Sequence, residues 1–202
     1  MMWIVLAVAA AIAAIMCISD ADLGLWLAPN PPDKAFRNQV IWIVGASSGI
    51  GAALGLEYCK SHSKVVFSAR RVEQLHDLAK QCSALGAEGF VLPLDVTDYD
   101  AHQAAVDTVL QKYGQIDTLV LNAGKSQRNL AVETPFEVTR DIMELNFFSL
   151  VALNKLVLPH MVQRNSGAIM VMSSVSGVLG TPVASSYSAS KFALHGYFNA
   201  LR

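Results

Sequence analysis

The sequence predicts an α/β domain built on a doubly wound parallel sheet. Strand-like runs alternate with helix-length stretches from residue 39 onward, which is the pattern of parallel strands joined by helical crossovers. The runs are rich in β-branched and aromatic residues, as expected for strands that are buried on both faces. A glycine-rich turn joins the first run to the first helix. In such a sheet, ligands bind at the carboxyl ends of the strands.

Composition limits the class of protein. The 202 residues are enough for about one domain of ordinary size. A net charge of -1 and the lack of a basic run exclude the usual nucleic-acid-binding classes. The hydrophobic content of 53% is high for a soluble chain and points to a membrane segment.

Residues 1–18 form an unbroken apolar run. As a helix this run would be ~27 Å long, close to the thickness of a bilayer's hydrocarbon core. Three interpretations remain open: an uncleaved membrane anchor, a cleaved signal peptide, and an apolar arm packed on the domain. No Lys or Arg precedes Lys34, which favours the anchor, with Trp3 and Trp26 near the membrane interfaces. Lys34 and Arg37 favour a cytosolic domain only weakly, so the membrane face stays open.

A linker is predicted at residues 19–37. The prolines over residues 28–33 cannot continue a helix. The folded domain is therefore expected to occupy residues 38–202.

The cysteines and histidines form no recognisable framework. Cys17, Cys59 and Cys82 are odd in number and fall in the apolar run and in two helix-like stretches. This arrangement is unlike a disulfide framework, and we predict free thiols. The histidines show no metal-ligand spacing, so no metal site is predicted and each is interpreted as a surface or packing residue; they are His62, His76, His102, His160 and His195.

The first strand is predicted at residues 39–44, and a helix follows to about Ser61. Between them, glycines stand at positions 45, 49 and 51. Glycines in a strand-to-helix turn let a pyrophosphate approach backbone N–H groups at the positive end of the helix. A lone glycine triplet is weak evidence, but the strand before it and the helix after it predict a dinucleotide site. Its candidate residues are Gly45, Ser47, Ser48, Gly49, Ile50 and Gly51.

The second strand, predicted at residues 64–70, ends in Arg70 and Arg71. An acidic residue at this place would bind the ribose 2′-hydroxyl of NAD. A guanidinium instead pairs with the 2′-phosphate of NADP, so the two arginines predict NADP(H) as the cofactor. The alternative is that both arginines are solvated at the start of a helix.

Three further strands are predicted at residues 89–94, 116–121 and 168–172. Helices are predicted at residues 101–113 and within 133–164. Asp95 directly follows the third strand, where the simplest interpretation of an aspartate is a turn residue or a helix N-cap.

A possible acid-base pair stands near the end of the sequence. Tyr187 and Lys191 are four residues apart, so on a helix their side chains share one face. An ammonium beside a phenol favours the phenolate and would allow Tyr187 to exchange a proton near neutral pH. Ser174, after the fifth strand, could donate to the same substrate oxygen. An isolated pair of this kind is more often a solvated helix face.

These motifs together resemble the short-chain dehydrogenase/reductase family. In order, they are Gly45-x-x-x-Gly49-x-Gly51, Asn122-Ala123-Gly124, Ser174 and Tyr187-x-x-x-Lys191. The resemblance covers residues 38–202 and implies a dinucleotide-binding fold of the Rossmann type. It places Asp95 and Val96 beside the adenine ring, makes residues 122–124 the floor of the cofactor site, and adds Asn146 to Ser174, Tyr187 and Lys191 as a catalytic tetrad. In that tetrad Asn146 holds a water; from the sequence alone it is an ordinary polar helix residue.

Two positions depart from the usual family pattern. Val44 replaces a threonine before the first glycine, and Leu121 replaces the commoner asparagine. The first change removes one hydroxyl from the turn. Neither removes the site.

The resemblance implies an NADP(H)-dependent enzyme that interconverts a lipophilic carbonyl compound and its alcohol. Tyr187 would supply the proton, Ser174 would hold the carbonyl oxygen, and Lys191 would lower the pKa of Tyr187 and bind the nicotinamide ribose. Membrane-bound members of the family point to steroids, retinoids or related carbonyls as substrates, to the endoplasmic reticulum membrane, and to a homodimer.

A rival interpretation follows from the position of Arg202, the last residue of the sequence. Family members continue through two further strands and a loop that closes over substrate, so the resemblance implies an incomplete domain with an uncovered sheet edge. The alternative is therefore a truncated, inactive form that acts as a cofactor-binding or dimerisation partner. On this view we expect the chain to be unstable and to turn over ketones slowly.

Overall fold

The computed structural model describes Trp3, Val8, Ile12 and residues 35–201. Trp3, Val8 and Ile12 are helical and exposed. The rest of the predicted anchor and of the linker up to residue 34 lies outside the described residues, as do Trp26, Lys34 and Arg202. The chain divides into two compact units, Met1–Ala35 and Phe36–Arg202. The second unit contains the sheet.

The sheet is parallel, and within the described residues it has five strands in the order β3-β2-β1-β4-β5. The central strand is β1, and the chain winds outward from it in both directions, so the doubly wound fold is confirmed. The carboxyl end of β1 aligns with those of its neighbours, because Val44 pairs with both Ser68 and Leu121. The strands are β1 (Val40–Val44), β2 (Lys64–Ser68), β3 (Glu88–Val91), β4 (Thr118–Leu121) and β5 (Ala168–Val171).

Helices cover both faces of this sheet, as the alternation of side chains along β1 requires. Ile41 and Ile43 pack with residues of the first two helices, whereas Trp42 packs in a second core with residues of later helices. The helices are α1 (Gly49–Lys60), α2 (Val72–Ala84), α3 (Asp100–Tyr113), α4 (Phe136–Met143), α5 (Ser149–Arg164) and α6 (Ser185–Asn199). Short 3-10 turns occur at Ala131–Glu133 and Val175–Gly177.

A disulfide joins α1 to α2. Cys59 and Cys82 are bonded, their Cα atoms lie 5.3 Å apart, and neither residue is exposed. The prediction of free thiols is therefore wrong for these two residues. The reason is that α1 and α2 lie side by side on one face of the sheet, which a separation of 23 residues does not reveal. Cys17 lies outside the described residues.

The long helix predicted within residues 133–164 is present but interrupted. A π-helical turn, Glu144–Phe148, stands between α4 and α5. This combined helix of 29 residues is long and apolar enough to cross a membrane by length and composition. However, Ile142, Leu150 and Leu153 are fully buried in the domain, so within the described residues it is a core helix.

Candidate active site

The glycine-rich turn between β1 and α1 has the shape that a phosphate-binding turn requires. Gly45 and Gly49 have φ angles of 89° and 59°, which favour glycine. A Cβ atom at Gly51 would lie 2.4 Å from the Gly45 carbonyl oxygen and 2.6 Å from Asn122 Nδ2. Asn122 Nδ2 itself donates to the Gly45 carbonyl oxygen at 2.8 Å. The turn is thus tied to the end of β4, and its backbone is open to a ligand.

A cleft of about 260 Å³ lies at the carboxyl ends of the strands. Most of the predicted cofactor-binding residues line it: Gly45, Ser47, Ser48, Arg70, Arg71, Asp95, Val96, Asn122, Ala123 and Gly124. Four further residues line it that were not predicted to bind the cofactor: Val44, Ala69, Leu94 and Leu145. Gly49, Ile50 and Gly51 form the first turn of α1, where Ile50 is exposed. These residues fit a dinucleotide with its phosphates at the start of α1.

The two arginines at the end of β2 make different contacts. Arg71 Nη2 donates to Ser47 Oγ at 3.0 Å and to Ser48 Oγ at 2.6 Å, so this side chain bridges to the glycine-rich turn. Arg70 Nη1 instead lies 3.8 Å from Asp95 Oδ2, and its side chain is largely exposed. Both residues line the cleft.

Asp95 combines a turn role with a place in the cleft. Its Oδ1 accepts hydrogen bonds from the Thr97 N–H at 3.0 Å and from Thr97 Oγ1 at 2.7 Å, as an Asx turn does. Partial burial raises the pKa of this carboxyl, but the bonds from Thr97 and the charge of Arg70 outweigh burial and leave the pKa below its usual value. Asp95 is therefore a carboxylate at neutral pH and can hold Arg70 by charge.

Tyr187 and Lys191 lie in the first turns of α6, as the spacing predicted. Lys191 Nζ is 5.7 Å from the centre of the Tyr187 ring and donates to the Met172 carbonyl oxygen at 2.8 Å. Lys191 is buried, and burial lowers its pKa to about 8. The ammonium form thus predominates at neutral pH but is lost soon above it.

Ser174 follows β5 and begins the turn Val175–Gly177. Its backbone is extended, and its Oγ accepts a hydrogen bond from the Ser176 N–H at 3.1 Å. Because the oxygen is the acceptor, the hydroxyl hydrogen can point to a substrate oxygen. The residue is half-buried, at the rim of the protein rather than in its core.

Asn146 projects from the π-helical turn and is completely buried. Its Oδ1 accepts from the Lys125 N–H, and its Nδ2 donates to the Lys125 carbonyl oxygen, both at 2.9 Å. Nδ2 also donates to Ser190 Oγ at 3.0 Å. A Cβ atom at Gly124 would lie 3.2 Å from Asn146 Oδ1 and 3.7 Å from Lys191 Nζ. Asn146 and Lys191 therefore meet beside Gly124.

A model of the family described as short chain dehydrogenase matches residues 39–202. The chain belongs to the short-chain dehydrogenase/reductase family. Family relatives include "Dehydrogenase/reductase SDR family member 7" of Mus musculus, 42% identical over 190 residues, and the protein of the same name in Homo sapiens, 42% identical over 191 residues. Each alignment covers 91% of this chain and 56% of the relative, so the chain spans little more than half of their length.

Solved structures of the family have the same fold. A short-chain type dehydrogenase/reductase from Mycobacterium marinum superposes with a TM-score of 0.78 at 26% identity, covering 82% of this chain and 68% of that one. A short-chain dehydrogenase from Streptomyces avermitilis gives 0.76 at 36% identity, covering 81% and 59%. Proteins of this family bind a nicotinamide dinucleotide cofactor, and the cleft at the carboxyl ends of the strands is the candidate site for it.

One contact near the short-chain dehydrogenase motifs was missed from the sequence. His195, interpreted as a surface or packing residue, lies with Nε2 2.8 Å from Ser173 Oγ. The only signal was its position four residues after Lys191, which places it on the same face of α6.

Proposed function

We propose that this protein is an NADP(H)-dependent oxidoreductase that interconverts a lipophilic carbonyl compound and its alcohol. The observation that carries the proposal is the buried Lys191 ammonium, which lies 5.7 Å from the Tyr187 ring and close to Gly124, a residue that lines the cleft. A buried cation next to a phenol is costly for a purely structural purpose, and it is suited to stabilising a phenolate.

The roles of the side chains follow from their chemistry. The nicotinamide, when bound, gives or takes the hydride. Ser174 donates its hydroxyl hydrogen to the carbonyl oxygen, and Tyr187 gives that oxygen a proton. Lys191 favours the phenolate that remains on Tyr187. Asn146 holds the backbone of residue 125 and Ser190, which keeps Lys191 at its place in the site.

The preference for NADP(H) is proposed from Arg70 and Arg71. Arg71 already bridges two serine hydroxyls, and a 2′-phosphate offers stronger, charged acceptors in the same place. Arg70 is largely exposed and its ion pair with Asp95 is long, at 3.8 Å, so the side chain can turn from Asp95 to the same phosphate.

Substituting Arg70→Asp or Arg71→Asp tests the cofactor preference. Each change should weaken the binding of NADPH by about 10- to 100-fold, since a charge-assisted contact contributes ~1.5–3 kcal/mol. The affinity for NADH should change much less. Dissociation constants from fluorescence titration give the answer, with Arg140→Asp on α4 as a matched charge control. Equal losses for both cofactors would overturn the proposed preference.

We also propose an uncleaved anchor in the endoplasmic reticulum membrane, with a substrate that partitions into lipid. The apolar run over residues 1–18 supports the anchor. The buried disulfide supports an oxidising compartment, since disulfides are rare in reducing ones. Deleting residues 1–18 should release the protein from membranes, whereas the intact chain should resist carbonate extraction. A soluble protein processed near Cys17 would instead indicate a cleaved signal peptide.

Activity itself is tested with the chain purified in detergent. NADPH binding is measured first, and lipophilic ketones are then screened for oxidation of NADPH. Ketone-dependent oxidation is expected. Binding without any turnover over a broad panel would favour a cofactor-binding partner over an enzyme.

A further inference from the structure

One face of α6 contacts two consecutive residues after β5. Tyr187, Lys191 and His195 follow one another at intervals of four and so share that face. Lys191 Nζ donates to the Met172 carbonyl oxygen at 2.8 Å, and His195 Nε2 lies 2.8 Å from Ser173 Oγ. Ser174 comes next along the chain. The helix that carries the acid-base pair is thus bonded to both residues that precede the substrate-binding serine.

Gly177 fits closely against the contact between Ser173 and His195. A Cβ atom at this position would lie 2.8 Å from Ser173 Oγ and 2.8 Å from His195 Cδ2. Gly177 is buried, and its N–H donates to the Ser174 carbonyl oxygen at 2.8 Å. The end of the turn that begins at Ser174 therefore packs directly on the same pair of side chains.

Apolar packing does little to hold this turn. Val175, Val178 and Leu179 are 76%, 64% and 67% exposed. Little hydrophobic free energy is gained from side chains that remain in water. Polar contacts must therefore fix the turn, and the bond between Ser173 and His195 joins it to α6.

We propose that His195 is a positioning residue for Ser174. Through Ser173, it holds the turn at a fixed place relative to Tyr187 and Lys191, so that the serine and tyrosine hydroxyls can meet one carbonyl oxygen. Successive side chains of an extended chain point to opposite sides, so Ser173 can bind the helix while Ser174 is left for substrate. The catalytic part of this inference rests on the proposed function; the structural part does not.

The structural part is tested by amide hydrogen exchange in the full chain. Ser173→Ala and His195→Ala should each speed exchange at Ser176 and Gly177, whose N–H groups bond to Ser174, by about tenfold. The double variant should be no faster than either single variant, because both remove one contact. Ser186→Ala, which removes a hydroxyl bond between α6 and Thr139, is the control and should leave these amides unchanged.

The catalytic part is tested by two substitutions that introduce amide side chains of different length. The amide of His195→Gln can stand where Nε2 stands, whereas that of His195→Asn is too short. We expect His195→Asn to lower kcat for ketone reduction about tenfold, with the dissociation constant of NADPH within about twofold of the original, and His195→Gln to restore most of kcat.

The outcomes separate the two proposals. Unchanged exchange at Ser176 and Gly177 in both alanine variants would overturn the positioning role, with or without activity. Faster exchange with equal kcat in His195→Asn and His195→Gln would overturn it as well. A chain that fails to reduce any ketone while exchange responds as expected would count against the proposed function and leave the contact between Ser173 and His195 established.

Discussion

Strands β1 and β5 belong to one sheet, but their surroundings differ. Every residue of β1 is buried, whereas the residues of β5 are exposed or half-buried in alternation. The nucleotide half, β1 to β3 with α1 and α2, is held by a continuous apolar core and a disulfide. The proposed catalytic half, β5 with residues 172–177 and α6, has apolar packing around Leu194 and adds side-chain hydrogen bonds that join α6 to residues 172 and 173.

Apolar burial and hydrogen bonds make different contributions to the two halves. Apolar burial is large in amount but has no direction, so it stabilises the nucleotide half without aligning particular atoms. Hydrogen bonds contribute less net free energy but fix direction, which a catalytic group needs. Substitutions in the nucleotide half should therefore lower stability, and those in the catalytic half should lower the rate.

The largest effect is expected at Tyr187. Tyr187→Phe removes the exchangeable proton and little volume, so ketone reduction should fall at least ~100-fold while NADPH binding persists. Tyr197→Phe makes the same change nearly three turns further along α6, where the ring packs against Phe147 and Phe198, and serves as the control. Near-normal turnover in Tyr187→Phe would remove this residue from the mechanism.

The next effect concerns the disulfide in the nucleotide half. Replacing both Cys59 and Cys82 with alanine should cost about 2–4 kcal/mol of unfolding free energy, measured by denaturant titration. Because the disulfide joins α1 to α2 and does not involve Tyr187 or Lys191, kcat at low temperature should change little. A reducing agent should destabilise the original chain and leave the alanine variant unaffected. A large loss of kcat in a stably folded variant would contradict the division between the halves.

A smaller effect is expected from a methyl group at the glycine-rich turn. Gly51→Ala would bring a Cβ atom against the Gly45 carbonyl oxygen and Asn122, so we expect a loss of about 1–3 kcal/mol in stability and weaker NADPH binding. Gly196→Ala adds the same methyl group to α6, where a Cβ atom meets nothing within 4 Å, and should be neutral or slightly stabilising. Thermal unfolding is measured for both variants, and equal midpoints would contradict the predicted clash at Gly51.

The smallest effect is a dependence of stability on pH in the catalytic half. Burial lowers the pKa of Lys191 to about 8 in the folded protein, whereas an unfolded lysine titrates near ~10.4. Between these values the unfolded chain binds a proton that the folded chain does not, so folded-state stability should rise with pH across this window. Unfolding free energies at pH 8 and 10, compared with those of Lys191→Met, should show this rise only in the original chain. A constant difference between the two proteins would contradict it.

The sequence was sufficient for the sheet because periodicity and composition are local properties. The runs around Ile41, Val66 and Leu119 form strands as predicted, and Gly51 stands in the turn where a side chain would collide. The strands β2 and β3 end earlier than predicted, at Ser68 and Val91.

The contacts that the sequence did not predict depend on which elements face each other in the fold. The bond between Cys59 and Cys82 requires the facing of two helices, and the different contacts of Arg70 and Arg71 require the position of the glycine-rich turn and of Asp95. His195 was interpreted as a packing residue because nothing local links it to Ser173. The roles of Ser174, Tyr187, Lys191 and Asn146 in catalysis stay predictions until the variants are measured.

The π-helical turn makes one stretch of the chain intolerant of changes in length. A residue removed between Glu144 and Phe148 would let α4 and α5 join as one regular helix, and the part before the join would turn by about 100° relative to the part after it. Ile142 and Leu150 could then no longer both be buried, and Asn146 would leave Lys125. Single substitutions at the exposed Phe148 carry no such penalty. Deletions and insertions here should therefore be far more damaging than replacements, and an alignment gap within these five residues would mark a protein with a different catalytic arrangement.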